Sequence, residues 1–263
     1  MIKEKKRLAI AGCGFLGNIV MDAWRDGLLP EYEVVGVLGR DPGRANAMAK
    51  KAGCPACRDL RELLETKPDY VAEMASVQLV KDIAEPVLKS GASLVVLSVG
   101  AFADQEFYEH IRSAAEEYGT RVHIASGAIG GFDVFRTISL MGQVETKMVT
   151  HKGPGSLRNT PVFREGMMED EEETEVFGGN AKEAIRLLPT KVNVAVAASL
   201  ATAGTEKTKF SIVSVPGMVG DDHRITAQID GVKAVVDVYS GTSAIAGWSV
   251  VALLQNLASP IMF

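Results

Sequence analysis

The run Gly12-Cys13-Gly14-Phe15-Leu16-Gly17 constrains this chain more than any other feature. It fits G-x-G-x-x-G, follows the apolar stretch at 8–11 and opens a helical pattern over 15–26. In that setting each glycine has a physical task. Gly12 permits the tight turn, Gly14 lets the backbone approach a pyrophosphate, and Gly17 lets helix and strand pack closely. The phosphates then rest on the positive end of the helix dipole, with Phe15 and Leu16 in the same cofactor-binding turn. A Rossmann-type domain that binds NADP or NAD is the reading.

The rest of the chain agrees with an α/β fold. The first ~130 residues alternate short apolar runs with helical patterns, as a parallel sheet covered on both faces does. Strands are predicted over 8–11, 34–38, 69–73, 93–98 and 121–125. Helices are predicted over 77–90 and 104–118, and another opens at Asp41-Pro42, with Asp as cap and Pro in the first turn. After Gly127-Ala-Ile-Gly-Gly131 the texture changes. Helices over 132–141, 181–188 and 192–203 accompany a strand over 144–152. Segments 208–215, 224–229 and 234–239 alternate as an antiparallel sheet with turns at Pro216-Gly217 and Asp230-Gly231. The acidic run 169–175 reads as a solvated loop. The expected domains are a nucleotide-binding Rossmann domain over 1–131, with a helix at 243–258 packing back on it, and an α+β domain over 132–242. The latter carries a mainly antiparallel sheet and serves substrate and subunit contacts.

Charge and cysteine content exclude several function classes. A net charge of −5 without a basic patch argues against nucleic acid as a partner. No apolar run reaches the ~18–20 residues of a membrane span. The charged start, residues 1–7, lacks the apolar core of a signal peptide, and three cysteines are too few for a disulfide framework, so a cytoplasmic location is expected. Cys54-Pro-Ala-Cys57 lies in a short surface connection, without the flanking elements or extra ligands that a redox or zinc pair needs. It is read as ordinary thiols, and no metal is expected.

Cofactor choice should be written at the end of the second strand, where NAD enzymes place Asp or Glu on the ribose 2′-OH. Here Gly39-Arg40 offers a guanidinium able to fork onto a 2′-phosphate, with Arg44 one turn along, so NADP should serve at least as well as NAD. Dehydrogenation of an amine or alcohol needs an acid/base near neutral pKa. Of the four histidines, His110 reads as surface and His123 as a core residue. His151 and His223 rank equal on the residues alone.

Several segments resemble the L-aspartate dehydrogenase family. Besides the glycine motif these are Ser98-Val-Gly-Ala101, Ser126-Gly-Ala-Ile-Gly-Gly-Phe-Asp133, the stretch from Phe177 to Pro189, Lys191-Val-Asn-Val-Ala195, Asp222-His-Arg224 and Leu257-Ala-Ser-Pro260. The resemblance implies that Ala128 and Asn193 contact the nicotinamide part of the cofactor and that His223 is the catalytic histidine. It implies oxidative deamination of L-aspartate to iminosuccinate, then oxaloacetate and ammonia, or delivery to quinolinate synthesis for NAD biosynthesis. A small-molecule partner, amino acid or 2-oxo acid, and a homodimer or homotetramer are expected.

Two departures stand out. The family's Arg-Lys-Pro-Pro is His151-Lys152-Gly153-Pro154 here, and its Asn-Pro-Lys-Thr-Ser loop is shortened to Ser240-Gly241-Thr242-Ser243. Lys152, Arg158 and Thr242 are the candidates for carboxylate contacts. The departures leave open a dehydrogenase or reductase for another imine, amino acid or 2-oxo acid. A regulatory protein that binds NADP without turnover is the reading from a different class.

Overall fold

The computed structural model describes residues 4–188 and 192–263. Residues 1–3, with Pro189 and Lys191 of the segments quoted above, lie outside the described residues. Two compact units are present: Met1–Gly127 together with Ala246–Phe263, and Ala128–Ile245.

The first unit runs β1 (Lys6–Ala11), α1 (Phe15–Arg25), β2 (Tyr32–Leu38), α2 (Pro42–Ala52), β3 (Ala56–Cys57), α3 (Leu60–Glu65), β4 (Tyr70–Glu73), α4 (Val77–Lys89), β5 (Ser93–Val96), α5 (Gln105–Tyr118) and β6 (Val122–Ile124). Its six strands are all parallel, in the order β3-β2-β1-β4-β5-β6. Chain order reverses beside β1, so the carboxyl ends of β1 and β4 flank the switch point where such sheets bind ligands. The central strands are apolar on both faces, and Leu8, Ile10, Val37 and Val95 are buried. Asp41 caps α2 by accepting a hydrogen bond from the Arg44 amide at 3.0 Å, and Pro42 sits in the first turn.

The second unit holds α6 (Phe132–Met141), β7 (Glu145–Lys152), β8 (Thr174–Asn180), α7 (Ala181–Leu187), α8 (Asn193–Leu200), β9 (Lys209–Ser214), β10 (Asp221–Ile229) and β11 (Val232–Ser240). The last helix, α9 (Ala244–Ala258), enters the first unit at Ala246, where Val250, Val251 and Leu254 join the core around Leu8 and Ile10. Tyr32 donates from its hydroxyl to the Leu254 carbonyl at 2.7 Å, which ties β2 to α9.

The five-stranded sheet has the order β11-β10-β7-β9-β8. It is mainly antiparallel, but β7 and β9 run parallel. The expected turn at Pro216-Gly217 forms, but it closes no hairpin, because β9 and β10 flank β7 rather than each other. Period-two alternation tells which face a side chain takes and says nothing of which strand lies next door. The turn at Asp230-Gly231 does close a hairpin, β10 to β11, with Gly231 at φ 75°.

Two other expectations are corrected. The acidic run ends in a strand, because Thr174 and Glu175 open β8 on β9. That strand lies at the sheet edge, where an exposed Glu175 is tolerated and discourages further pairing. The Cys54–Cys57 stretch is not a surface connection. It contains the edge strand β3, and Cys57 is buried against Gly36 of β2. Two residues of pairing are too few to show as a periodic run.

Candidate functional site

In the first unit the glycine turn borders a cleft of about 700 Å³, within the range of small-molecule sites. Gly12 has φ 128°, and a Cβ there would stand 2.7 Å from the Met74 carbonyl oxygen. At Gly17 a Cβ would lie 1.9 Å from the Gly12 carbonyl oxygen, which is how closely α1 packs on the turn. Around Gly14, by contrast, a Cβ would meet nothing within 4 Å. Gly14 is also the N-cap of α1, so no cap side chain takes the helix's first amides. Open space, free first-turn N–H groups and the dipole together form a cradle that suits a diphosphate. Gly12 and Gly14 line the cleft. Phe15 is exposed, while the Leu16 side chain packs toward the core, so backbone is what those two contribute here.

Arg40, Arg44 and Arg58 line the same cleft, alongside Asp41, Asp59 and Asp82. Arg44 pairs with Asp41 at 3.9 Å, and Arg58 pairs with Glu62. Arg40 is exposed and has no ion-pair partner among the described residues. A 2′-phosphate would meet that cation without displacing an existing partner.

Glu73, which the sequence reading passed over, anchors this edge of the sheet. It is fully buried at the end of β4 and accepts hydrogen bonds from the Ala75 and Ser76 amides at 2.7 and 2.9 Å. Ser98 donates to it from amide and hydroxyl at 3.1 and 2.9 Å. Burial pushes its carboxyl pKa up while these donors oppose the shift. The signal was available: a carboxylate closing an apolar run rarely stays buried without partners.

In the second unit β7 and β10 pair antiparallel, with Thr150 opposite His223, His151 opposite Asp222 and Lys152 opposite Asp221. Alternation along the strands puts Thr150, Lys152 and His223 on the buried face, each under 5% exposed. The Thr150 Oγ1 lies 3.0 Å from His223 Nδ1, and Lys152 is ion-paired with Asp221. His151 falls on the other face, and its Nδ1 is 3.6 Å from Asp222, too long for a hydrogen bond. Burial pushes His223 down to about 4; the Lys152 ammonium adds to the shift and Asp221 opposes it. The imidazole is therefore neutral near pH 7.

This shift also makes the fold sensitive to acid. The His223 pKa is depressed in the folded state, so its contribution is present above the unfolded value near 6.5 and lost as pH falls toward about 4. The expected loss across that window is roughly 3 kcal/mol. In thermal melts the stability gap between wild type and His223→Gln should stay level above pH 6.5 and narrow by that amount as pH falls to about 4. Parallel curves would remove His223 as the cause.

The remaining candidates are dispersed within the second unit. Ala128 lies in the turn after Gly127, and Asn193 is the first residue of α8, with Val192 as the cap position. Arg158 is exposed at the end of the short turn Pro154–Leu157. Thr242 accepts a hydrogen bond from the Ala244 amide at 3.2 Å and so fastens the start of α9. Gly153 explains its own departure: a Cβ there would stand 2.1 Å from the Met218 carbonyl oxygen. His110 is exposed and pairs with Glu85 at 3.0 Å. His123 is half-buried beside the Tyr70 ring, and burial lowers its pKa. Among the described residues no group of three or more His, Cys, Asp and Glu could hold a metal, and no helix is long and apolar enough to cross a membrane.

Residues 12–125 match the family model described as homoserine dehydrogenase, NAD binding domain. Residues 133–257 match that of aspartate dehydrogenase, C-terminal. The L-aspartate dehydrogenase of Methanococcus maripaludis is 31% identical, covering 97% of this chain and 98% of its own length. That of Methanocella arvoryzae is likewise 31% identical with the same coverage. Among solved structures, aspartate dehydrogenase from Thermotoga maritima matches with a TM-score of 0.77 at 26% identity, over 99% of this chain and 100% of that one. A hyperthermophilic archaeal homoserine dehydrogenase in complex with NADPH shares the fold, with a TM-score of 0.61 at 12% identity over 98% and 100% of the two chains.

Proposed function

Since this chain belongs to the L-aspartate dehydrogenase family, we propose that it oxidises L-aspartate at the α-carbon to iminosuccinate with NAD(P), reversibly. The observation that carries the reading is His223: buried, held by one hydrogen bond and kept neutral beside Lys152, in the unit that matches the aspartate dehydrogenase model.

The first unit's cleft fits the dinucleotide. Gly12, Gly14 and the first amides of α1 would hold the diphosphate, and Arg40, with Arg44, a 2′-phosphate. Ala128 and Asn193 would hold the carboxamide end. When bound, the nicotinamide supplies the acceptor for the hydride leaving the α-carbon. His223 takes the proton from the substrate's ammonium group before oxidation. Having passed that proton on to solvent, the neutral ring then takes one from the water that attacks the imine and returns it to the departing nitrogen, releasing oxaloacetate and ammonia. Lys152 and Arg158 offer cations for the two carboxylates, and Thr242 a hydroxyl. The second unit would serve substrate and subunit contacts in a homodimer or homotetramer, supported by the exposed Val235 and Tyr239 on β11. A cytoplasmic role supplying iminosuccinate to NAD biosynthesis is consistent with this chemistry.

One panel tests the activity and the cofactor together. Absorbance at the reduced-nicotinamide band is followed with L-aspartate, other amino acids, and 2-oxo acids with ammonia, each with NAD and NADP. L-aspartate should give the highest kcat/KM, and Arg40→Ala should raise KM for NADP about tenfold or more while NAD changes little, as one charge-assisted contact is worth 1.5–3 kcal/mol. A different preferred amino acid overturns the substrate, and unchanged NADP use in the variant overturns the role of Arg40.

A further inference from the structure

We propose that Thr150 is the positioning residue for the catalytic imidazole: through its hydroxyl it holds His223 by Nδ1 in the Nδ1–H form, leaving Nε2 to exchange the proton. This rests on the reading of His223 as the acid/base.

Four observations converge on it. Thr150 and His223 are directly opposed in the β7–β10 register, so their side chains share one face at the shortest cross-strand spacing. Both are buried, at 1% and 2% exposure, where water cannot substitute for a lost partner. The 3.0 Å contact between Oγ1 and Nδ1 is the only hydrogen bond of the His223 ring among the described residues, so no other group there competes for Nδ1. Threonine is also stiff about χ1, which fixes the hydroxyl relative to the strand.

The choice of a hydroxyl matters chemically. Its oxygen can accept from Nδ1–H both when the ring is neutral and when it carries the extra proton, so the contact survives each half of the proton transfer. A carboxylate there would hold the ring equally well but would add a negative charge and favour the imidazolium. With Lys152 and its partner Asp221 as the charged neighbours on β7 and β10, an uncharged holder leaves the ring neutral and ready.

Thr150→Val keeps shape and strand preference but removes the acceptor, and Thr150→Ser restores it. A buried Nδ1–H without a partner is costly, so the ring should move its proton to Nε2 and lose its basic nitrogen. Nitrogen-15 NMR of the imidazoles, with the His223 signal assigned by its absence in His223→Asn, reads the tautomer directly. The wild type should show Nδ1–H and the valine variant Nε2–H. In the valine variant kcat should fall about 10–100-fold with KM for L-aspartate changed less than about threefold, and serine should recover most of it. An unchanged tautomer with wild-type kcat in Thr150→Val, or a serine variant as impaired as valine, overturns the proposal. His223→Asn separates the two levels. If it turns over like wild type, the acid/base reading falls and Thr150's role with it. If it is inactive while Thr150→Val is unaffected, only the role of Thr150 falls.

Discussion

Replacing His223 with alanine should lower kcat for L-aspartate oxidation by about 10²–10⁴-fold, the usual loss when a positioned general base is removed. KM for NADP should hold, because the diphosphate cradle and Arg40 belong to the first unit. The size of the effect follows from the surroundings. Burial and the Lys152 ammonium keep the ring neutral down to about pH 4, so it enters the working range without a proton already on it. Its neighbours cannot take over. Lys152 is already protonated as the ammonium beside Asp221, and His151 lies on the opposite face of β7. The variant should stay folded, since the hydrogen bond it loses joins two strands that pair along eight positions. A far-ultraviolet spectrum and melting temperature confirm folding before rates are compared. Turnover within threefold of wild type would remove His223 from the chemistry.

Gly17→Ala should be the most damaging single methyl in the first unit. The new Cβ would sit 1.9 Å from the Gly12 carbonyl oxygen, a backbone atom that moves only if the whole turn moves. Overpacking of this kind costs about 1–3 kcal/mol or more, and here it also displaces the turn that would receive the diphosphate. Melting temperature should drop and cofactor affinity should fall at least tenfold. Gly14→Ala provides the internal contrast. Its φ of −83° suits any residue, and its Cβ would meet nothing within 4 Å. Stability should therefore hold while NADP affinity falls, because the added methyl occupies space that the pyrophosphate needs. Equal melting temperatures for Gly17→Ala and wild type, or unimpaired NADP binding by Gly14→Ala, would contradict the cradle as described.

These two sites differ in how far they could be read from residue order. The glycine turn is local: strand, turn and helix follow one another within twenty residues, and each glycine's task is set by its neighbours in the chain. The Asp41-Pro42 helix start is equally local and is found as expected. The order of the second sheet is not local. Alternation in β7, β9, β10 and β11 shows which residues are buried, whereas the insertion of β7 between β9 and β10 depends on contacts between segments about sixty to eighty residues apart. For that reason the residues alone left His151 and His223 tied. Only the β7–β10 register shows that 150, 152 and 223 share a buried face while 151 turns away. Glu73 and Thr150 were missed on the same ground. Ser98, which completes the hold on Glu73, and His223, the partner of Thr150, lie 25 and 73 positions away, while the Ala75 and Ser76 amides on Glu73 are local. The two-residue β3 carries too little pattern to be seen, and the charges of 169–175 masked the start of β8.

The central claim is that this protein moves a hydride from the α-carbon of L-aspartate to a bound nicotinamide. L-aspartate deuterated at the α-carbon, incubated with the enzyme and NADP, tests it most directly. Mass spectrometry should find one deuterium in each NADPH formed, appearing in step with oxaloacetate and ammonia. NADPH that forms without deuterium, or oxaloacetate and ammonia that form with no NADPH, would contradict it.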